Sequence, residues 1–373
     1  MSYIPAFRAR RPFGRPRYKL DREVFGVDTR TCVTNTQVAP FRYICNFERE
    51  GSPSCSGTLI GPRTVLTAGH CLRRRSDRTF FVPGRVEVFP GRNGIKSGAA
   101  ARPFGSSVCV RLVPAPGFIP GTNEASPVDY GVAVLSQPIG NRVGWWTPDF
   151  FRWPGDPVGT SIRQSTGAFT ASGLSVTVAG YPGDLPSAAK HDGCFDPAID
   201  RTATVQYMDI NSAVRVTPTG ILEYRNDTAG GMSGSPVWTE RPATEGGRVM
   251  LAIHISGDSD EFSDEANRGV FIQGGVREFV LAHAFYPPGA APPNSGGRPT
   301  VRFGSGGAGV RELQYRLNIW IAITPGAGIA PLVVDGAFGS KTLAATRAFQ
   351  RSFGLGVDGI VGPQTWGRLL LPF

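Results

Sequence analysis

The apolar segments between residues 24 and 286 are short, and apolar and polar residues alternate along them. Leu174–Val178 and Val249–Ile255 are two examples. Alternation with a period of two is typical of half-buried β-strands, and the 49 Gly and 32 Pro of the 373 residues supply many turns between such strands. The sequence therefore predicts a mainly β fold. No apolar run approaches the roughly 20 residues that a membrane helix needs, so no membrane partner is expected.

Three short motifs place a histidine, an aspartate and a serine in contexts typical of nucleophilic catalysis. His70 lies in LTAGHC (66–71), Asp129 opens DYGVAVL (129–135), and Ser233 lies in GGMSGSP (230–236). A serine hydroxyl becomes a nucleophile when a neutral imidazole accepts its proton, and the imidazole needs a carboxylate to fix its tautomer. The motifs predict Ser233 as nucleophile, His70 as base and Asp129 as the orienting acid, with no metal or other cofactor.

The glycines before Ser233 allow a sharp turn of the backbone, so that the N–H groups of Gly231 and Ser233 can form an oxyanion hole. The alternative is that a G-x-S-G segment is only a turn and that a lone His or Asp is structural. The occurrence of three such contexts in one chain favours catalysis. His191, in a polar loop, and His283, after a helix-like segment, are expected to be structural.

Residues 24 to about 286 resemble the chymotrypsin-fold serine proteases, and within them the bacterial glutamyl endopeptidases (the V8-like group). Beyond the three motifs, the resemblance rests on DTRT (28–31), VTNT (33–36), SCSG (54–57), IGP (60–62), PGRNG (90–94), PIGN (138–141) and GYPGD (180–184). It implies two antiparallel six-stranded β-barrels and a monomeric, secreted serine endopeptidase acting on proteins or peptides. The chain departs from the family at Met232, where a polar residue is usual; this side chain could alter the rim of the site, but the oxyanion donors are backbone groups and should survive the change.

Thr228 and His254 match the positions that bind the substrate carboxylate in glutamyl endopeptidases. The resemblance therefore implies cleavage after Glu, with Asp second, and both side chains can donate hydrogen bonds to a carboxylate. The alternative is that His254 is a satisfied strand histidine and Thr228 a turn residue. Cleavage after Arg or Lys would need an acid in the pocket, and Asp227 is one residue away from the matching position.

An acidic loop follows His254. We expect it to be solvated rather than folded over the pocket; its acidic residues are Asp258, Asp260, Glu261, Asp264 and Glu265.

The chain has six cysteines. In the resembling family the cysteines at positions 55 and 71 are bonded, so the resemblance implies a Cys55–Cys71 disulfide beside His70. Spacing does not determine the pairing of the other four, which form two further disulfides or remain in part as buried thiols: Cys32, Cys45, Cys109 and Cys194. The even count favours an oxidising compartment, in agreement with a secreted or cell-wall-associated protein.

Residues 1–23 carry seven basic and two acidic side chains and no apolar core sequence. They do not form a signal peptide, because the hydrophobic region is missing. The segment is best explained as the end of a propeptide; a nucleic-acid-binding arm is the weaker alternative, and no nucleic-acid partner is expected. Val24 matches the mature N-terminus of the resembling family. Cleavage of Glu23–Val24 by the enzyme itself and processing by another protease both remain open.

The C-terminal part differs in composition from the rest. Residues 287–300 form a Pro/Gly-rich linker, and residues 301–373 hold a three-helix pattern with a repeat, VDGAFG (334–339) and VDGIVG (357–362). Together with AFQ (348–350) and GPQTW (362–366), this resembles the small peptidoglycan-binding domain of cell-wall hydrolases. The resemblance implies peptidoglycan or a related glycan as a partner. The stripe of Leu and aromatic residues, which includes Trp366, is expected to be core rather than a ligand site.

The net charge of +10 belongs to the ends of the chain. Residues 1–23 contribute +5, residues 301–373 contribute +4 and Arg298 adds one, which leaves the protease-like segment near zero. The basic C-terminal part is suited to attraction by anionic wall polymers. The sequence thus predicts a secreted serine endopeptidase held near a cell wall. The alternatives are a hydrolase of peptidoglycan stem peptides and a non-catalytic wall-binding pseudoprotease.

Overall fold

The computed structural model describes residues 24–74, 76–96, 98–146, 163–165, 168–170, 173–184, 204–240, 248–256, 266–285, 299–324 and 328–369. The basic segment 1–23, His191, Cys194, the acidic loop 258–265 and linker residues 287–298 lie outside this range. Among the described helices, no helix combines the length and the apolar character that crossing a membrane requires.

Six strands of the N-terminal half close into an antiparallel barrel, in the order β2-β3-β4-β7-β6-β5. Its core is filled by apolar side chains from every strand, among them Phe47, Leu66 and Val88, all with no exposed surface. The bounds of these elements, with a preceding short strand β1 and a following helical turn α1, are β1 Thr31–Cys32, β2 Ile44–Arg49, β3 Ser52–Leu59, β4 Thr64–Thr67, β5 Val86–Pro90, β6 Ser107–Pro114, β7 Gly131–Leu135 and α1 Gly140–Val143.

A second six-stranded barrel has the order β10-β13-β14-β15-β12-β11 and is closed by pairing of β10 with β11. The hairpin β8–β9 and the strand β1 attach to β11. The strands are β8 Arg163–Ser165, β9 Ala168–Thr170, β10 Ser175–Gly180, β11 Tyr207–Val216, β12 Ile221–Tyr224, β13 Pro236–Thr239, β14 Val249–Ser256 and β15 Asn267–Phe271. The predicted chymotrypsin-like pair of antiparallel barrels is confirmed.

Met232 is a correction to the sequence analysis. Its side chain has no exposed surface and packs in the core of the second barrel with Val176, Val237 and Ala252. It therefore does not reach the rim of the site. Burial of an apolar side chain at this position stabilises the fold, whereas a polar side chain would lose this contribution.

The helices are α2 Gly274–Phe285, α3 Ala308–Ile323, α4 Ser340–Ser352 and α5 Pro363–Leu369. The last three form the predicted three-helix unit, whose core contains Trp320, Phe349 and Trp366. The ring of Phe349 packs edge-on against Trp320, and Trp366 is 1% exposed with its Nε1–H bonded to the Pro299 carbonyl. The stripe of Leu and aromatic residues is therefore core, as expected.

The two copies of the repeat are held in the same way, each by a glutamine of the preceding helix. Gln314 Nε2 donates to Asp335 Oδ1 at 2.8 Å, and its Oε1 accepts from the Gly336 N–H at 2.8 Å. Gln350 makes the equivalent pair of bonds to Asp358 and the Gly359 N–H, both at 2.9 Å. The repeat thus encodes two loops that a buried amide ties to a helix, which is a structural role.

The three-helix unit packs against α2 of the barrel domain. The Arg277 guanidinium donates to the Tyr315 hydroxyl, and Arg316 Nη2 donates to Glu278 Oε2 at 2.6 Å. Tyr315 is 3% exposed and belongs to the same apolar cluster as the first barrel. The two parts of the chain therefore share a packed interface in addition to the connecting segment.

Candidate active site

Strand pairing brings His70 and Asp129 together. β4 ends at Thr67 and leads into a single 3-10 turn, Gly69–Leu72, that carries His70, while Asp129 immediately precedes β7. Because β4 and β7 are antiparallel neighbours, these two ends lie side by side. His70 Nδ1 is 2.8 Å from Asp129 Oδ2, and the His70 backbone N–H donates to Asp129 Oδ1 at 2.8 Å.

The environment of Asp129 keeps it ionised. Burial alone would raise its pKa, since its side chain has no exposed surface, but the His70 imidazole and the N–H groups of Ala125 and His70 hold the pKa below its ordinary value. An ionised carboxylate only accepts hydrogen bonds, so the Nδ1 of His70 carries the proton. This leaves Nε2 of the neutral imidazole as a proton acceptor.

Ser233 lies in the loop between β12 and β13, next to the turn that carries His70. Its carbonyl accepts the Ser56 N–H at 2.8 Å and lies 3.5 Å from the Sγ of Cys71, the residue after His70. Within the described part of the chain, Ser233 Oγ makes no hydrogen bond to His70 or to any other group. Such a bond is often long without substrate and tightens in the complex.

In the loop that carries Ser233, two backbone N–H groups have no hydrogen-bond partner among the described residues. Gly231 has φ +99°, a value that favours glycine, and a Cβ there would lie 2.5 Å from the Tyr181 carbonyl. The Met232 N–H is used by the Ala229 carbonyl, whereas the N–H groups of Gly231 and Ser233 have no hydrogen-bond partner among the described residues. Two free donors on alternate residues can bind one oxyanion.

The Cys55–Cys71 disulfide is formed, and it joins β3 to the turn that carries His70. Cys32 is also disulfide-bonded. Cys45 and Cys109, for which the sequence left a disulfide open, are instead buried free thiols in the first barrel. Burial raises the pKa of both thiols, to about 12 for Cys109, so neither is a reactive thiolate.

In the ranges that the structure describes, one cluster of residues has the spacing of metal ligands: Cys55, His70 and Cys71, whose donor atoms lie within 4.8 Å of one another. A cysteine binds a metal as the thiolate, and both sulfurs here are joined in the disulfide. The cluster therefore does not suit a metal ion.

His254 lies on β14 close to Ser233. The N–H of Gly234 donates to the His254 carbonyl at 2.7 Å, and the His254 N–H donates to the Ser235 carbonyl at 2.8 Å. Its Nδ1 lies 2.6 Å from the hydroxyl of Tyr224, on β12. Burial lowers the pKa of His254 to about 3, and His70 acts in the same direction. The imidazole is therefore neutral at pH 7.

Thr228 and Asp227 have different environments although they are adjacent. Thr228 is fully buried, and its hydroxyl has no hydrogen-bond partner among the described residues. The Asp227 carboxylate accepts from the Phe25 N–H, the Thr29 N–H and the Thr29 hydroxyl at 2.7 to 2.9 Å. It is thus engaged with the N-terminal segment rather than free to bind a ligand.

Two side chains in contact with this site were not found from the sequence. Tyr224 contacts His254, and Ser56 Oγ accepts from the Tyr181 N–H and donates to the Gly231 carbonyl, both at 2.9 Å. Tyr224 occupies an ordinary strand position, and Ser56 lies far from position 231 in the sequence. Tyr224 had no sequence signal beyond its residue type, and Ser56 belonged to the SCSG motif (54–57) without a role being assigned to it.

Comparisons with known proteins agree with this architecture. A family model described as trypsin matches residues 30–272, and a model described as a putative peptidoglycan binding domain matches residues 306–369. A solved structure titled as a Glu endopeptidase in complex with MPD aligns with a TM-score of 0.50 and 29% identity, covering 69% of this chain and 97% of that one.

Curated relatives include two proteases and a carboxypeptidase. A glutamyl endopeptidase of Bacillus licheniformis is 34% identical over 238 residues, which are 63% of this chain and 61% of that protein. An extracellular metalloprotease of Bacillus subtilis is 27% identical over 241 residues, 63% of each chain. A zinc D-Ala-D-Ala carboxypeptidase of Streptomyces albus G is 46% identical over 70 residues, 19% of this chain and 26% of that protein. The chain spans less than two thirds of the length of each of these relatives.

The trypsin match covers more than half of the chain, and the chain therefore belongs to the trypsin family, with a peptidoglycan-binding-type domain at its C-terminal end.

Proposed function

We propose that the protein is a serine endopeptidase in which Ser233 is the nucleophile, His70 the general base and Asp129 the residue that orients His70. The observation that carries the proposal is the 2.8 Å pair between His70 Nδ1 and a buried Asp129, beside a loop whose Gly231 and Ser233 N–H groups have no partner in the part of the chain that the structure describes. A bond from Nδ1 to the carboxylate leaves Nε2 ready to accept a proton.

The proposed reaction has two halves. His70 Nε2 takes the proton of Ser233 Oγ as this oxygen bonds to the substrate carbonyl carbon, and the carbonyl oxygen becomes an oxyanion that accepts from the N–H groups of Gly231 and Ser233. The imidazolium then protonates the leaving amine as the C–N bond breaks, which gives the acyl-enzyme. Water repeats the sequence and releases the acid, with Ser233 recovering its proton.

Cleavage after Glu, with Asp second, is the specificity that we propose. Thr228 supplies a buried hydroxyl for which the described residues provide no partner, and a buried polar group of this kind is costly unless a ligand satisfies it. His254 is neutral, and when the Tyr224 hydroxyl donates to Nδ1, the proton of His254 is on Nε2, from which it can be donated to a carboxylate. Cleavage after Arg or Lys is disfavoured, because Asp227 is engaged with Phe25 and Thr29.

The C-terminal domain is proposed to bind peptidoglycan or a related wall glycan, and the protein to act outside the cell as a monomer. Support comes from the match over residues 306–369 and from the net charge of +4 on residues 301–373. We propose further that cleavage before Val24 produces the mature enzyme. The contact of the Phe25 N–H with Asp227 would place the new N-terminus beside Thr228.

Assays of peptide hydrolysis and of organophosphate labelling test the enzymatic proposal. Wild type is expected to hydrolyse casein and Glu-containing peptides and to be labelled by an organophosphate, whereas Ser233→Ala is expected to lose both properties. Ser52→Ala, at an exposed serine at the start of β3, is the control and keeps both. Activity of Ser233→Ala on peptides would refute the proposal, and release of fragments from purified peptidoglycan without casein cleavage would favour a stem-peptide hydrolase.

The inactive Ser233→Ala protein also tests wall binding without self-digestion. We expect it to sediment with insoluble peptidoglycan and to remain in solution with cellulose. If it stays in the supernatant with both polymers at low salt, the proposed wall partner is wrong.

A further inference from the structure

A buried arginine connects the N-terminal segment to a loop next to the catalytic serine. Arg30 has no exposed surface, and its guanidinium binds two carboxylates. It contacts Asp28 at 2.8 and 3.0 Å and Asp184 at 2.8 and 3.0 Å. Burial alone would lower the pKa of Arg30, but the hydrogen bonds from these two carboxylates raise it above its ordinary value. The cation is therefore permanent, and the Asp184 carboxylate is fixed by a two-pronged ion pair.

Asp184 follows Gly183, and Gly183 contacts the proposed oxyanion hole. The Gly183 N–H donates to the Gly230 carbonyl at 2.6 Å. A peptide bond is planar and trans, so the Gly230 carbonyl and the Gly231 N–H are opposite ends of one rigid plane. The bond from Gly183 to one end therefore fixes the direction of the donor at the other end.

This peptide plane needs such a restraint because it lies between two glycines. Glycine adopts positive and negative φ with similar ease, and Gly231 has φ +99°. Rotation of the plane would point the Gly231 N–H away from the substrate and the Gly230 carbonyl toward it. The Ser56 hydroxyl, which bridges the Tyr181 N–H and the Gly231 carbonyl, holds the far side of Gly231 but leaves the preceding plane to Gly183.

We propose that Arg30, acting through Asp184, is a positioning residue that keeps the Gly230–Gly231 peptide oriented so that the Gly231 N–H faces the substrate oxyanion. This inference rests on the proposed serine endopeptidase function. It makes the segment just after Val24 part of the catalytic architecture, because the same segment supplies Arg30 and the contacts with Asp227.

Asp184→Asn is the most direct test. It removes the charge of the more exposed carboxylate, whose side chain is 28% exposed, and leaves Arg30 paired with Asp28. A fully lost oxyanion donor lowers kcat by roughly 10²- to 10³-fold, so partial misalignment is expected to lower kcat by about tenfold. Oxyanion contacts form only in the transition state, so KM is expected to remain within about twofold of wild type.

A matched control exists at the contact between α2 and the C-terminal domain. Arg316 is also buried and also binds two carboxylates, Glu312 and the more exposed Glu278. Glu278→Gln removes the equivalent carboxylate away from the loop that carries Ser233, so its kcat is expected to match that of wild type. Asp184→Glu keeps the charge and is expected to recover part of the lost kcat.

The measurements are kcat and KM per active site titrated with a fluorophosphonate, and the Ki of a peptide boronate that mimics the tetrahedral intermediate. In Asp184→Asn the Ki is expected to rise in proportion to the fall in kcat. Gly183→Ala is the second variant, since its Cβ would lie 3.0 Å from the Gly230 carbonyl oxygen, and it is expected to lower kcat at least as far.

Several results would overturn the inference while the wild-type enzyme retains Ser233-dependent activity. They are an unchanged kcat and Ki in Asp184→Asn, an equal loss of kcat in Glu278→Gln, and failure of Asp184→Asn to fold, which would make the ion pair structural only. Absence of Ser233-dependent hydrolysis in wild type would instead refute the proposed function, and this inference with it.

Discussion

His254→Phe is expected to remove the preference for Glu over Gln while leaving the catalytic machinery intact. Phenylalanine keeps a ring of similar size in the buried site but cannot donate a hydrogen bond. A hydrogen bond to a charged group contributes about 1.5 to 3 kcal/mol, so kcat/KM for Glu peptides should fall by roughly 10- to 150-fold. Gln peptides should change by less than about threefold, because the neutral amide is not a comparable acceptor.

The low pKa of His254 determines how this preference should depend on pH. Burial lowers the pKa of His254 to about 3, well below the pH of the assay, so His254 is expected to bind the carboxylate as a neutral donor. The ratio of kcat/KM for Glu and Gln peptides should then be constant between pH 6 and 8.5.

The assay compares peptides that differ only as Glu, Gln or Arg before the scissile bond, for wild type and His254→Phe. A change in the catalytic steps that all peptides share cancels in the ratio. Tyr224→Phe is the companion variant, and it is expected to reduce the ratio less, because His254 remains. A Glu:Gln ratio that falls tenfold per unit of pH would show a protonated His254, and a His254→Phe enzyme that keeps its preference would refute the assignment.

Asp129→Asn is expected to lower kcat by about 10⁴-fold with little change in KM, since an amide no longer fixes the tautomer of the imidazole; steady-state kinetics measure this, and a loss below tenfold would contradict the role. Mass-spectrometric sequencing of the active form is expected to give Val24 as the first residue, and a start well away from it would contradict the proposed maturation. Tyr315→Phe is expected to lower the free energy of unfolding by about 1 kcal/mol and Tyr315→Ala by about 3 kcal/mol or more, measured with urea, because the first loses a hydrogen bond and the second also loses buried apolar area between the two parts of the chain. Equal stability of Tyr315→Ala and wild type would show that the interface contributes nothing.

Motifs whose residues are close in sequence were predictable. The short apolar segments Leu174–Val178 and Val249–Ile255 form the predicted strands β10 and β14, although nearly every residue of both strands is buried, so neither strand has a solvent-exposed face. The three-helix pattern of residues 301–373 and the core position of Trp366 followed from helical spacing in the same way. These are local properties of the chain.

The resemblance extended the prediction to the barrels and to the residues of the candidate site. It did not extend to Cys45 and Cys109, which remain thiols, because disulfide formation depends on the distance and direction of the Cβ atoms rather than on spacing. The resemblance also left open where the Met232 side chain points, since the direction of a single side chain in a tight turn depends on φ and ψ values that the sequence does not reveal.

The sequence by itself determined the strand periodicity, the three motifs and the division of charge between the ends of the chain. The tertiary structure decided which distant groups meet: the pairing of β4 with β7 that joins His70 to Asp129, the contact of Tyr224 with His254, and the ion pair that links Arg30 to Asp184 across 154 positions. The physical reason is that burial and hydrogen bonding act between atoms that are close in space. Barrel closure brings those atoms together from strands that lie far apart in the chain.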